Sequence, residues 1–198
     1  EWNYFHVWGG LIMGIPTLIK TLTASGDASL SFVDGTSDVT LDSTYDEYMF
    51  VFTDIGPATD SVRFSFQVNA TDDAGGGYDT SLITSTCFRA YHAESGSEAA
   101  IAYVTSGDLA QSASFQILTD IIGNGADESC AGIMHLFSPS STTYVKHFYS
   151  RLNIVQSSDY SIVHHVAGYI NDTTAIDEIQ FKMSSGNFDG VIQLYGIA

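Results

Sequence analysis

The densest chemical signal in the chain is Asp72-Asp73-Ala74-Gly75-Gly76-Gly77-Tyr78-Asp79, three carboxylates around a run of glycines. Carboxylates and loop carbonyls are the ligands Ca²⁺ takes, so Asp72, Asp73 and Asp79 are the candidate metal ligands. The spacing departs from the EF-hand loop, which closes on a bidentate Glu, and a glycine-rich hairpin tip accounts for the same residues without an ion. His135, His147, His164 and His165 form a second group. Neighbours along a strand point to opposite faces, so only one of His164 and His165 can share a site with His135 or His147. Cys87 and Cys130 lie in apolar runs with no CxxC or Cys/His zinc spacing, and read as small buried hydrophobes. A disulfide between them needs Cα atoms within about 7 Å.

Catalytic patterns are missing. There is no G-x-S-x-G elbow. Asp42, Asp46, Glu47 and Asp54 gather near one strand, without a partner across a cleft as glycoside hydrolysis requires. The reading is therefore non-enzymatic, with no catalytic residue and no cofactor apart from the Ca²⁺ candidate. The remaining chemistry is aromatic. Tyrosines near loops, beside acidic side chains, offer a ring face and a hydroxyl to a sugar; Tyr78, Tyr91 and Glu94 are the candidates for glycan contact.

Charge narrows the partners. The chain carries 23 acidic and 6 basic side chains, a formal charge of −17 and a pI near 4.2. Nucleic acid is gripped by Lys and Arg on phosphates, and an anionic membrane surface asks for the same residues. Both are excluded as partners. Its 198 residues, 44% of them apolar, suit one domain with a sizeable core. With 13% aromatics and 15% charged residues, disorder is excluded too.

Something must position these residues, and the pattern is all β. Candidate strands are Ser29–Val33, Asp38–Leu41, Glu47–Asp54, Ser61–Asn69, Thr84–His92, Ala99–Val104, Ser112–Leu118, Ser129–Phe137, Thr142–Ile154, Tyr160–Ile170, Ile176–Met183 and Val191–Gly196. Val62–Val68 and Ile179–Met183 alternate apolar and polar residues, the mark of an antiparallel strand with one wet face. Turn residues separate the strands: Asp34-Gly35, Asp72–Gly77, Glu94–Gly96, Ser106-Gly107 and Gly186-Asn187. The one helical candidate is a single turn at Asp108–Gln111. Strands at this spacing predict a two-sheet antiparallel sandwich of jelly-roll type over residues 25–198.

Residues 1–24 are set apart as an apolar N-terminal segment. Trp2–Ile19 is too short and too interrupted by glycine and proline to span a membrane, and it lacks the basic start of a signal peptide. The codons of Trp8-Gly9-Gly10 can hold a ribosome-binding sequence just ahead of Met13. The expectation is that residues 1–12 are translated leader. Otherwise they form an arm that docks on a neighbouring subunit.

A longer string of segments carries a resemblance. It runs through Asp42-Ser-Thr-Tyr-Asp-Glu-Tyr48, Phe64-Ser-Phe-Gln-Val68, Phe88-Arg-Ala-Tyr-His-Ala-Glu94, His135-Leu-Phe-Ser-Pro139, Val166-Ala-Gly-Tyr169, Ile179-Gln-Phe-Lys-Met183 and Leu194-Tyr-Gly-Ile197. From Met13 to Ala198 the chain resembles virion structural proteins of tailed phages of marine bacteria, cyanophage-like and environmental phages among them. The resemblance implies a place on the virion surface, as part of a tail or head fibre or a capsid decoration. It also implies contacts with other virion proteins and self-association, expected as a homotrimer, and it supplies no catalytic residues. A charge of −17 fits an outward-facing part better than the lining of a DNA-filled interior. A host-glycan receptor-binding module, a depolymerase-type enzyme and a secreted bacterial adhesion domain are the alternatives.

Overall fold

A computed structural model of the chain describes residues 14–72, 78 and 80–198. Among these residues there is no helix. The strands are β1 (Thr17–Asp27), β2 (Ser29–Val33), β3 (Glu47–Pro57), β4 (Phe64–Ala70), β5 (Ile83–Ala93), β6 (Ala99–Tyr103), β7 (Gln116–Ile117), β8 (Cys130–Phe137), β9 (Lys146–Gln156), β10 (Tyr160–Ile170), β11 (Ile176–Met183) and β12 (Phe188–Ile197). They form an eight-stranded sheet, β1-β12-β3-β8-β9-β10-β5-β6, and a four-stranded sheet, β2-β11-β4-β7. Every pairing is antiparallel.

Within this arrangement sits the expected jelly roll. The orders β1-β12-β3-β8 and β2-β11-β4-β7 are those of two interleaved Greek keys. The other four strands are two insertions, β5–β6 between β4 and β7 and β9–β10 between β8 and β11. They meet as β9-β10-β5-β6 and double the width of the large sheet. The inserted half therefore has an inner face that the small sheet covers only in part. Segment 105–122 covers more of it, through Ile83–Ser112, Ser85–Leu109 and Val62–Ile122 backbone bonds.

The core between the sheets is built from phenylalanine. Phe181 of β11 is its hub, with ring centroids 5.2 Å from both Phe50 and Phe52 and 5.8 Å from Phe64. Offset and edge-on rings of this kind add to simple area burial. Gly190 permits the bulge where β12 crosses β3. It has φ +138°, and a Cβ there would meet Asp54 and Ile55 at under 3 Å.

Several sequence expectations need correction. β1 begins at Thr17, so part of the segment set apart as 1–24 is an edge strand of the sheet, paired with β12. The leader expected at residues 1–12 lies outside the described residues. Asp38–Leu41 is no strand: Val39 and Leu41 plug the core from a turn held by Asp34, whose Oδ1 accepts the Leu41 N–H at 2.8 Å. Ser112–Leu118 shrinks to a two-residue β7, because the Gln67 amide takes the carbonyls of Ala113 and Ser114. Asp108–Gln111 is not helical. β4 has no wet face either, since Ser65, Gln67 and Asn69 are all buried; segments 80–82 and 113–116 lie over them. In β11 the alternation holds, with Ile179, Phe181 and Met183 inward.

Candidate functional site

Strand alternation sends the odd residues of β5 and the even residues of β10 to the inner face. Near the hairpin ends these are Arg89, Tyr91, Tyr160 and Ile162. They line a cavity of about 150 Å³ together with Glu98 and Gln156. The Tyr91 and Tyr160 rings stand 5.9 Å apart at 64°. Both hydroxyls donate to one carboxylate: Tyr91 to Glu98 Oε1 at 2.8 Å, Tyr160 to Oε2 at 3.1 Å. That carboxylate holds both phenols above their ordinary pKa. The Arg89 guanidinium lies 5.1 Å from the Tyr91 centroid, a cation–π contact.

Arg89 also borders a second cavity, of about 310 Å³, with Arg63, Tyr103, Thr105, Ser106 and Asp120. Asp120 is buried, pairs with Arg89, and has Arg63 at 3.8 Å. Two guanidiniums thus share one carboxylate and leave an excess positive charge. In a chain with 6 basic side chains this concentration is unusual. Nothing in the spacing of residues 63, 89 and 120 could have announced it.

Deeper on the same face lies a buried cysteine–histidine pair. His164 Nδ1 is 3.1 Å from the Leu118 carbonyl, and its Nε2 is 3.3 Å from Cys87 Sγ. The carbonyl fixes the proton on Nδ1, leaving Nε2 to accept from the thiol. Burial pushes the Cys87 thiol up to about 11 and the His164 imidazole down to about 4. Both partners are neutral at pH 7, which is packing rather than an activated nucleophile. Cys130 is free and buried on β8, and burial raises its thiol too. β8 and β5 are three strand spacings apart, on the order of 14 Å. A disulfide with Cys87 is therefore out of reach.

The outer face of the inserted half has a different chemistry. On β8, β9, β10, β5 and β6 the outward positions among the described residues hold no Asp or Glu. They carry His92, His135, His147 and His165, with Arg151. Phe88, Ile101, Tyr103 and Tyr149 are exposed, Ile101 by 79%. The rings are already stacked: Phe88 on His165 at 4.8 Å, Tyr149 on His135 at 4.6 Å. His135 is held by Glu47 of β3. Strand β6, Ala-Ala-Ile-Ala-Tyr, is one of the two edge strands of the sheet among the described residues and lacks the charge or proline that blocks pairing. The sequence reading gathered the histidines as a possible cluster. The sheet sends His164 inward and spreads the others across this face.

The remaining candidates are dispersed. Tyr78 lies against the small sheet, its hydroxyl bonded to Glu178 and Ser31, and burial first, then Glu178, pushes it up to about 12. It does not join Tyr91. Glu94 is exposed on the β5–β6 turn, and its backbone, not its carboxylate, makes the contact, with Asp159. The acid beside Tyr91 is Glu98. Asp72 Oδ1 accepts the Thr174 hydroxyl at 2.9 Å, while Asp73 and Asp79 lie outside the described residues. Among the described residues no three His, Cys, Asp or Glu side chains are placed to hold a metal ion.

Asp54, Asp127, Glu128 and Asp189 do border a common cavity of about 630 Å³, which the sequence reading did not foresee. Two of these carboxylates hold backbone instead: Asp189 accepts Gly26 N–H and Glu128 accepts Gly125 N–H. No aromatic ring and no cation lines that cavity. Among the described residues no helix is long and apolar enough to cross a membrane. Comparison of the chain with protein-family models, curated proteins and solved structures returns no match.

Proposed function

We propose that this chain is a non-enzymatic structural module of a phage particle surface, assembling with copies of itself through the outer face and β6 edge of the large sheet. The observation that carries the assembly reading is the absence of acid from the outward positions of its five strands; Glu47 and Asp108 reach it from neighbouring segments, each tied to a ring, His135 and Tyr103. At a charge of −17 per copy, two molecules repel wherever their acids meet. Outward positions on five adjacent strands offer a surface where they do not, and Phe88, Ile101, Tyr103 and Tyr149 supply rigid apolar anchors. The unblocked β6 edge adds backbone pairing to side-chain contact. The jelly roll is an architecture found in viral capsid and lectin domains, and the resemblance to virion structural proteins of tailed phages supports the same role. A homotrimer is the expected assembly, with other virion proteins as neighbours.

Native mass spectrometry of the purified chain tests the assembly, with a trimer expected and a monomer at micromolar concentration overturning it. Mass spectrometry of purified phage particles tests the location. Finding the chain in the infected cell but not in the particle overturns a virion role.

A further inference from the structure

We propose that the inner-face groove around Arg89 is a binding site for an acidic saccharide, with Tyr91 and Tyr160 taking the sugar ring and Arg63 and Arg89 taking its carboxylate or sulfate. The groove opens on the opposite face of the strands and shares only Tyr103 with the assembly surface, so this proposal stands or falls separately from the assembly reading. Three features carry it. The first is the pair of tyrosine rings, 5.9 Å apart and inclined at 64°, which presents an apolar corner to the C–H face of a ring. Their orientation is set in advance, because the two oxygens of Glu98 hold the two hydroxyls. Each hydroxyl oxygen keeps acceptor capacity for a sugar O–H.

The second feature is charge. In the larger cavity Arg63 and Arg89 face Asp120 alone, which neutralises only one of them, while Glu98 lines the aromatic cavity on the other side of Arg89. Their side chains are 38% and 32% exposed, open enough to reach a ligand. A guanidinium carries five donors in a planar fork and can serve Asp120 and a second anion together. In a molecule this acidic, excess positive charge in a cavity selects for an anion on the ligand.

The third feature is layout. Arg89 borders both cavities, the aromatic one of about 150 Å³ and the hydroxyl-bearing one of about 310 Å³ with Thr105 and Ser106. A ligand crossing Arg89 would place a ring on one side and further hydroxyls on the other. Alternating C–H faces, hydroxyls and one negative group describe a uronic acid or a sulfated sugar in an oligosaccharide. A bare phosphate uses the arginines but not the tyrosines.

The test is saturation-transfer NMR and calorimetry on the full chain. The probes are a panel of uronic-acid and sulfated oligosaccharides, their neutral counterparts and inorganic phosphate. Acidic oligosaccharides are expected to bind, with transfer to the sugar C–H protons. Arg63→Met is expected to weaken them by about tenfold or more, the effect of losing a charge-assisted hydrogen bond. Tyr160→Phe, which keeps the ring but releases it from Glu98, is expected to weaken acidic and neutral sugars alike. Both side chains are partly exposed, so circular dichroism can show that these variants remain folded. Equal binding of neutral and acidic sugars, binding of phosphate as tight as that of the sugars, or silence across the panel at millimolar concentration would each overturn the proposal.

Discussion

The two faces of the inserted half-sheet are made by the same strands, one residue out of step, and they differ in almost every property. Inward positions hold Cys87, Arg89, Tyr91 and His164, fixed by Asp120, Glu98 and the Leu118 carbonyl. Outward positions hold Phe88, His92, Ile101 and Tyr149, without a single carboxylate among the described residues. The inner face ties most of its polar groups to partners within the molecule, with Ser150 Oγ and Arg89 Nε left over, and leaves a shaped groove. The outer face leaves apolar surface that none of the described residues covers. A period of two lets one set of strands serve two purposes without compromise between them.

Four measurements can break or sharpen this contrast. The largest effect lies beside these faces, in the core between the small sheet and the other half of the large one. Phe181→Ala removes the hub of the phenylalanine core and should lower stability by about 3–5 kcal/mol in urea unfolding. A loss under about 1 kcal/mol would mean that the sheets do not pack as described.

Second comes the inner-face histidine. Above pH 6.5 the His164 imidazole is neutral in both folded and unfolded chains. As pH falls from 6.5 to about 4 the unfolded chain takes up a proton that the folded one refuses, so stability is lost across that window. At 1.36 kcal/mol per pH unit the loss is about 3 kcal/mol. His164→Asn should flatten this part of the pH profile.

Third, Ile101→Lys places a charge on the outer face and the β6 edge together. It should shift the assembled species to monomer, while monomer stability changes by less than about 0.5 kcal/mol, as for an exposed position. An unchanged mass would remove the outer face from the assembly. The smallest effect is on thiol reactivity. With both cysteines buried and Cys87 pushed up to about 11, a thiol reagent at mildly alkaline pH should label the native chain far more slowly than the urea-unfolded one. Rapid native labelling of Cys87 would show that the inner face opens.

Much of the framework was legible in the sequence. Alternation and turn residues located β2, β3, β5, β6, β8, β9, β10 and β11 closely, and their number pointed to the jelly-roll sandwich. β1 escaped because Thr17–Asp27 follows directly on an apolar stretch that masks its alternation. β4 misled, since a polar residue at every second position also describes a strand whose polar side is covered by hydrogen-bonded chain, as Gln67 is. The site was read only in part. Of the groove residues the sequence singled out Tyr91, and the acid bonded to it is Glu98 rather than Glu94, because that choice depends on the register of the β5–β6 hairpin. Arg63, Arg89 and Asp120 meet through tertiary folding alone, and no local pattern encodes that meeting.

The pairing of β1 with β12 and of β2 with β11 also bears on how the chain reaches this structure. The hairpins β9–β10 and β5–β6 can close early, since their partners are near neighbours in sequence. The Greek keys cannot, because their outer strands come from opposite ends of the sandwich domain and loop closure over that distance is slow. A nascent chain still lacking β11 and β12 holds β1 and β2 without their partners, and β3 with β8 alone. The sandwich can close only once β12 has been made, so the two Greek keys form after the inserted hairpins.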